Sequence, residues 1–102
     1  MMTVYNITTK LNWDIVADWL EWQKLEVIPE AMASRLFEDY KIYRLLEPDD
    51  GEGATFVIQY FSSSPQNGQQ YMREYADVFL LKAFEKWGDR LVSFQTILQL
   101  VN

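Results

Sequence analysis

Residues 40–61, YKIYRLLEPDDGEGATFVIQYF, decide the fold of this chain. The segments 40–47 and 55–61 are rich in aromatic and β-branched residues, so they predict two strands. Residues 48–53 between them, PDDGEG, are typical of a turn, because Gly supplies backbone conformations that other residues avoid. A connection this short predicts that the two strands form an antiparallel hairpin.

A strand and a helix precede the hairpin. Residues 3–9 alternate as a strand does, and Asn12 offers a cap for the helix that follows. Pro29 disfavours helical geometry at Ile28, which predicts that this helix ends or kinks there before a last turn through Met32. The spacing of its large side chains predicts a buried face made of Val16, Trp19, Leu20 and Gln23.

A second helix and a last strand follow the hairpin. Ser64 before Pro65 predicts the helix start, Gly88 fits a cap at its end, and residues 91–101 predict the fourth strand. The predicted helical stripe comprises Tyr71, Tyr75, Val78, Phe79 and Lys82. The order strand, helix, strand, strand, helix, strand predicts an α+β fold. It is a single domain over residues 1–102, with a four-stranded antiparallel sheet and both helices on one face.

Apolar side chains are predicted on both faces of this sheet. Third-strand Val57 and Phe61 oppose Phe56 and Ile58, and the fourth strand is apolar on both sides too. Its two apolar sets are Val92, Phe94, Leu98 and Leu100 on one face, and Leu91 and Ile97 on the other. Burying such a side chain gains roughly 1.5–3 kcal/mol, so the face without helices is expected to pack on a second copy through a two-fold contact. The polar residues expected between the two sheets are Asn6, Gln59, Gln95 and Gln99.

The composition narrows the function classes. Nine Lys and Arg against fifteen Asp and Glu give a net charge of -6, which disfavours nucleic acid and membrane partners. The chain has no Cys and no His, so the commonest metal ligands and the commonest general base are missing. No metal and no cofactor is expected. The N-terminal residues lack the pattern of a signal peptide, and a cytoplasmic protein is expected.

Five short motifs resemble a family of small bacterial proteins classed as a domain of unknown function. They are WLEW at 19–22, IPE at 28–30, EYA at 74–76, GDR at 88–90 and FQTIL at 94–98. This family looks like a branch of the dimeric α/β barrel superfamily, in which two ferredoxin-like protomers pack sheet against sheet. The resemblance implies the fold and a homodimer, and it supplies no activity.

One position departs from the family pattern. Members of the family carry a His just before the Ile-Pro pair, whereas this chain has Val27. Superfamily enzymes often use a His near this position. A family activity that depends on that His would be missing from this protein.

Two hypotheses of function remain open. The first is a non-catalytic module that binds a small apolar molecule between helix and sheet, or a protein partner. The alternative is a cofactor-independent monooxygenase- or isomerase-like enzyme acting on a small apolar or aromatic substrate, as in other branches of the superfamily. The candidate pocket comprises Tyr5, Asn6, Trp19, Arg44 and Tyr60.

The remaining polar and aromatic clusters have simpler interpretations. Asp14, Asp18 and Glu21 are interpreted as a solvated helix face, and Asp89 with Arg90 as a local ion pair. Trp13 and Trp22 are interpreted as packing residues that cover the edges of the helix or of the dimer. The acidic turn is interpreted as a solvated hairpin rather than a cation site, and its residues are Glu47, Asp49, Asp50 and Glu52.

Overall fold

Four strands form one antiparallel sheet in the order β2-β3-β1-β4. They are β1 (Thr3–Asn12), β2 (Asp39–Arg44), β3 (Gly53–Ser62) and β4 (Leu91–Gln99). The computed structural model describes residues 1–46, 51 and 53–101. The predicted hairpin of β2 and β3 is confirmed, and the acidic turn residues 47–50 and 52 lie outside the described residues.

Two helical segments connect the strands. The first, between β1 and β2, contains a 3-10 turn (Trp13–Ile15), α1 (Val16–Trp22), a π-helical turn (Gln23–Val27) and α2 (Ile28–Ala33). The second, between β3 and β4, contains α3 (Asn67–Tyr71), a π-helical turn (Met72–Ala76), α4 (Asp77–Trp87) and a 3-10 turn (Gly88–Arg90). The predicted element order is therefore confirmed. Over the described part of the chain, no helix is long and apolar enough to cross a membrane.

The core lies between the helices and one face of the sheet. Tyr5 on β1 lies opposite Tyr60 on β3, and both are buried. The helices contribute Trp19 from α1 and Tyr71 from α3, which are also buried. A largely aromatic layer therefore joins both helical segments to the two central strands.

Of the two outcomes predicted at Pro29, an end or a kink, the helix does not end there. Ile28 has helical dihedrals of φ -64 and ψ -45, and the helix continues through α2. The π-helical turn Gln23–Val27 lies directly before it. Proline removes one i→i−4 hydrogen bond and crowds a carbonyl one turn back, and a π turn changes the hydrogen-bonding register at that place. The chain therefore accommodates Pro29 by inserting a residue rather than by stopping the helix.

The predicted helix starts also differ from the observed ones. The second helical segment begins at Asn67 rather than at Pro65, because Ser64 lies in the preceding turn and its hydroxyl donates to Gln66 Oε1 at 3.1 Å. Asn12 is extended and precedes the first helical turn, but its side chain makes no capping hydrogen bond. Gly88 ends this helix with a φ of 58°, but its ψ of -128° differs from the left-handed helical cap that the sequence predicted.

The buried stripe of the second helix shifts after Tyr75. Val78 and Lys82 were predicted on one helical stripe with Tyr71, but both are exposed whereas Tyr71 is buried. The buried residue after Tyr71 is Ala76, five positions on, and the next is Ala83. A stripe drawn at 3.6 residues per turn fails here, because the π-helical turn Met72–Ala76 adds a residue and rotates the rest of the helix.

The pairing of β4 with β1 shows which side chains of β4 lie on each face of the sheet, and it differs from the prediction. Gln95 lies opposite Ile7 and Gln99 opposite Thr3, which places both glutamines on the face toward the helices. Both were predicted to lie between two sheets, and that prediction is wrong. The side chains that β4 places on the outer face are Val92, Phe94, Thr96 and Leu98, so this face is more apolar than predicted.

A close backbone approach makes Gly53 the most restrictive glycine in the described chain. A Cβ atom at Gly53 would overlap the carbonyl oxygen of Leu11 on the neighbouring strand. Gly53→Ala is expected to lower the free energy of unfolding by about 1–3 kcal/mol, because the strands must move apart. Gly51→Ala is the control, since a Cβ there meets no atom within 4 Å, and its effect should stay within about 0.5 kcal/mol. Urea unfolding measures both, and equal losses would contradict the expectation.

Candidate functional site

A small cavity lies between the helical segments and the sheet. Its volume is about 50 Å³. One water needs roughly 10–15 Å³ on this scale, so the space admits a few waters or a molecule of a few heavy atoms. The side chains that shape it include Tyr5, Trp19, Gln23, Tyr71, Leu80 and Gln95. Leu80 on α4 is 40% exposed and Gln95 on the edge strand β4 is half-buried, so the cavity reaches the surface between α4 and β4.

The five residues of the predicted pocket do not lie together. Tyr5 and Trp19 line the cavity. Tyr60 lies behind them, with its ring stacked on that of Tyr5 at 6.1 Å between centroids. Asn6 is on the outer face of the sheet, where its Oδ1 accepts from Gln59 Nε2 at 3.2 Å. Arg44 is exposed at the end of β2, with its guanidinium 5.3 Å from the centre of the Trp13 ring.

Three buried tyrosines border the cavity on one side. The ring centroids of Tyr5, Tyr60 and Tyr71 lie 5.4 to 6.3 Å apart, and Phe37 stacks within the same cluster. Burial raises the pKa of each of the three hydroxyls well above its ordinary value, and neighbouring tyrosines raise it further. Asp77 adds to the raised pKa of Tyr5, and Glu30 adds to that of Tyr71. These hydroxyls therefore stay protonated at neutral pH and can donate hydrogen bonds.

Two polar atoms on cavity-lining residues are buried without a hydrogen-bond partner. They are Gln23 Oε1 and Tyr71 Oη, and Tyr60 Oη is a third such atom in the adjoining aromatic cluster. Leaving a buried polar group unpaired costs about 1–3 kcal/mol, so native proteins rarely keep such groups without a reason. These atoms expose less than 1 Å² each, so they lie in the packed layer around the cavity.

Both π-helical turns contribute to this cavity. Gln23 and Val27 are the first and last residues of one, and Ala76 is the last residue of the other. Single π turns within α-helices occur frequently at functional sites, because they redirect side chains that a regular helix would place elsewhere. Gln23 is the polar residue that these turns contribute to the lining, and regular helical spacing from Trp19 already predicts its burial.

The cavity lining is uncharged. It contains no Asp, Glu, Lys or Arg. Val27, the position at which the family resemblance implies a His, is buried in the cavity wall and makes that wall apolar. Among the described residues, no group of three or more His, Cys, Asp or Glu side chains could hold a metal ion. The arrangement can bind a neutral molecule by contact and hydrogen bonding.

The other predicted polar clusters lie on the surface. Arg90 pairs with Asp14 at 3.2 Å rather than with Asp89 as predicted, and both side chains of the pair are more than half exposed. An exposed ion pair of this kind contributes about 0–1 kcal/mol to the free energy of unfolding. The remaining carboxylates of the predicted helix face, Asp18 and Glu21, are exposed.

The three neutral tyrosines predict a loss of stability at alkaline pH. Their pKa values are raised in the folded state, so the folded protein retains protons that the unfolded chain releases above its ordinary tyrosine pKa. Each such tyrosine lowers the free energy of unfolding by about 1.4 kcal/mol per pH unit above about pH 10. The stability that these neutral tyrosines contribute is fully present below about pH 10, and it is lost as the pH rises through their folded-state pKa values.

Circular dichroism and tyrosinate absorbance, followed together from neutral to alkaline pH, test this expectation. We expect part of the tyrosinate signal to appear in the same transition as unfolding. Complete ionisation of all six tyrosines while the fold is intact would contradict the burial of these hydroxyls.

The sheet order and the two helical segments define the class of this protein. A βαββαβ chain with sheet order β2-β3-β1-β4 and both helical segments on one face has the α+β ferredoxin-like fold. The family model described as domain of unknown function (DUF4286) matches residues 2–101, so the chain belongs to that family. No curated protein sequence matches it.

Solved structures support the same fold. A dimeric ferredoxin-like protein from an uncultured marine organism has a TM-score of 0.69 at 15% identity, over 99% of this chain and 97% of that one. An EthD-like protein from Ralstonia eutropha has a TM-score of 0.65 at 16% identity, over 99% and 93%. A hydroxynitrile lyase from Passiflora edulis has a TM-score of 0.62 at 12% identity, over 98% and 96%. At these identities the likeness concerns the fold.

Proposed function

We propose that this protein is a single ferredoxin-like domain that forms a cytoplasmic homodimeric α/β barrel. In this proposal, each protomer binds a small, uncharged, largely apolar molecule in its cavity between helices and sheet, without catalysing a reaction. The observation that supports binding is the cavity itself, which is lined by uncharged and largely apolar side chains between the helices and the sheet.

The outer face of the sheet supports self-association. Phe94 is 65% exposed there, and Val92, Leu98 and Tyr43 are also exposed on the same face. Neighbouring apolar side chains left in water favour a partner surface of the same kind. The structurally similar marine protein is itself described as dimeric. A two-fold contact between two such faces covers both at once.

The polar residues at the centre of this face suit burial under a second copy. Asn6 accepts a hydrogen bond from Gln59, and its own amide donates to Thr8 Oγ1 at 3.2 Å. Burying a polar group costs less free energy when the group already has a hydrogen-bond partner. The centre of the face is therefore compatible with a sheet-to-sheet interface.

The geometry gives less support to the enzyme alternative. A cofactor-independent monooxygenase or isomerase of this kind would need groups that orient the substrate and stabilise an oxyanion. Asn6 and Arg44, the candidates for those roles, lie away from the cavity on the outer sheet face and at the end of β2. Tyr5 and Tyr71 offer neutral hydroxyls, which suit hydrogen bonding to a ligand better than proton abstraction.

Native mass spectrometry of protein purified from its own host tests the proposal. We expect a dimer that carries a small neutral molecule on each protomer. Ala83→Leu extends a side chain from the cavity wall and is expected to abolish the bound mass. Ala17→Leu on the exposed side of α1 is the matched control and should retain it. Empty dimers in repeated preparations, or retention of the molecule by Ala83→Leu, would overturn the binding proposal.

A further inference from the structure

We propose that a row of polar side chains across the outer face of the sheet fixes how two copies of this chain align in the dimer. In this arrangement β1 of each copy lies over β3 of the other, and β2 lies over β4. The inference rests on the proposed function, because it assigns the orientation of the two sheets within the proposed homodimer. The polar row takes one residue from each strand and comprises Lys41, Gln59, Asn6 and Thr96.

The polar row crosses all four strands at one level of the sheet. On one half, Lys41 pairs in register with Gln59, and on the other half Asn6 pairs with Thr96. The hydrogen bond from Gln59 Nε2 to Asn6 Oδ1 joins the two halves. The ammonium group of Lys41 lies 5.8 Å from the centre of the Phe61 ring, which places this side chain on the outer face with the others.

Largely apolar rows flank the polar row on both sides. One comprises Tyr43, Val57, Thr8 and Phe94, and the other comprises Asp39, Phe61, Val4 and Leu98. A two-fold axis between two packed sheets lies parallel to both of them. Displacing one copy by a single row would bury its amides against apolar side chains of the other. The axis is therefore expected to pass over the polar row, so that polar side chains meet polar ones and apolar meet apolar.

Charge distinguishes the two directions that such an axis can take. An axis along the polar row sets each strand over its own copy, which brings two Lys41 ammonium groups together and places Tyr43 over the Asp39 carboxylate. An axis along the strands sets β2 over β4, so that Lys41 meets Thr96. Tyr43 then meets Phe94, and both rings gain an aromatic partner. Because like charges that face each other oppose association, the axis along the strands is favoured. It also keeps the strands of the two sheets within the angle of about 30° that is usual for aligned sheets.

The central amides meet across this interface. Gln59 of each copy lies over Asn6 of the other, and two-fold symmetry repeats the contact. The hydrogen bonds within one sheet use one N–H of each amide, and each amide carries a second N–H. Packed sheets lie roughly 10 Å apart, a distance that two facing amide side chains span directly or through a water. A buried polar group that finds its partner in only one alignment selects that alignment.

Nuclear Overhauser effects in the unmodified protein test the orientation. A dimer of one isotope-labelled and one unlabelled copy restricts the observed signals to contacts between copies. Phe94 ring protons are expected to show effects to the Tyr43 ring of the other copy. Within one chain the two rings lie on opposite edge strands, so they cannot produce this signal.

The other outcomes separate this inference from the dimer itself. Effects from Phe94 to Leu98 of the other copy would indicate the axis along the polar row and would overturn the inference while leaving the sheet-to-sheet dimer intact. A dimer without any effect between outer-face residues would overturn both the inference and the sheet-to-sheet interface. A monomer in sedimentation equilibrium would overturn the proposed homodimer, and the inference with it.

A double variant tests whether the polar row sets the alignment. Asn6→Leu combined with Gln59→Leu removes both central amides and is expected to associate at least as tightly, because apolar replacements of buried polar pairs are often stabilising. A second set of Phe94 signals, with effects to Leu98, is expected as other alignments become populated. Gln70→Leu on α3 is the matched control, since Gln70 Nε2 donates to Glu74 at 3.3 Å in the helical layer, and it should retain a single set. A weaker dimer, or a double variant with only the original contacts, would overturn the role of the polar row.

Discussion

Replacing Phe94 by arginine is expected to dissociate the proposed sheet-to-sheet dimer into monomers. Phe94 lies on the outer sheet face opposite Thr8, with 65% of its side chain exposed in the single chain. In a two-fold interface each substitution occurs twice, and each copy removes a buried ring and places a charge in its position. The dimer dissociation constant should rise roughly 100-fold or more. Sedimentation equilibrium over a range of protein concentrations measures the change.

Phe84→Arg is the matched control for this substitution. Phe84 has the same side chain and the same exposure, at 66%, but lies on α4 in the helical layer. Its replacement should leave the dimer intact. Monomerisation by Phe84→Arg with no effect of Phe94→Arg would show that the helices, and not the sheet, form the interface.

Trp19→Ala is expected to cause the largest loss of stability among single core substitutions. Trp19 is 2% exposed, and its ring lies 5.5 Å from that of Phe56 on the sheet. It joins α1 to β3 and forms part of the cavity wall, so its removal enlarges the existing space instead of letting the core collapse. The free energy of unfolding should fall by about 3–5 kcal/mol.

Trp13→Ala provides the comparison for Trp19. Trp13 is 44% exposed, and its described interaction is the contact of its ring with the Arg44 guanidinium. An exposed cation–π contact contributes about 0.5–1 kcal/mol, so Trp13→Ala should lower the free energy of unfolding by about that amount. Urea unfolding of both variants is measured at one protein concentration, because the stability of a dimer depends on concentration. Similar losses for the two tryptophans would contradict the proposed role of Trp19.

The element order was predictable because each element has a strong local signal. The β2–β3 hairpin follows from two apolar runs around a glycine-containing turn, and Gly88 at φ 58° follows from its position after Trp87. The two π-helical turns were not predictable in this way. Helical periodicity assumes 3.6 residues per turn, and the extra residue within Met72–Ala76 moved Val78 and Lys82 out of the buried stripe.

The sides of β4 could not be assigned from its sequence. Leu91 and Ile97 alternate with Val92, Phe94 and Leu98, so either set fits a buried face. The register of β4 against β1 shows that Leu91 and Ile97 face the helices. The same register places Gln95 and Gln99 on that face. A shift of one residue would exchange the two faces, and single-strand patterns do not contain that information.

The residues of the cavity were only partly predictable. Gln23 was placed on the buried face of the first helix, and a polar residue on an apolar stripe is a signal that it needs a partner. That signal could have identified Gln23 as a cavity residue, but the predicted pocket did not include it. Asn6 and Arg44 were included because of their chemistry, but strand register places Asn6 on the outer face and Arg44 at an exposed strand end.

The proposed sheet-to-sheet dimer is tested most directly by the mass of the unmodified protein in dilute solution. Sedimentation equilibrium at micromolar concentration should give twice the chain mass of 12.1 kDa. Hydrogen exchange on the same sample should show that the backbone amides of β4 are protected on forming this species. A particle of 12.1 kDa at that concentration, with Phe94 and Leu98 in contact with water, would contradict the account.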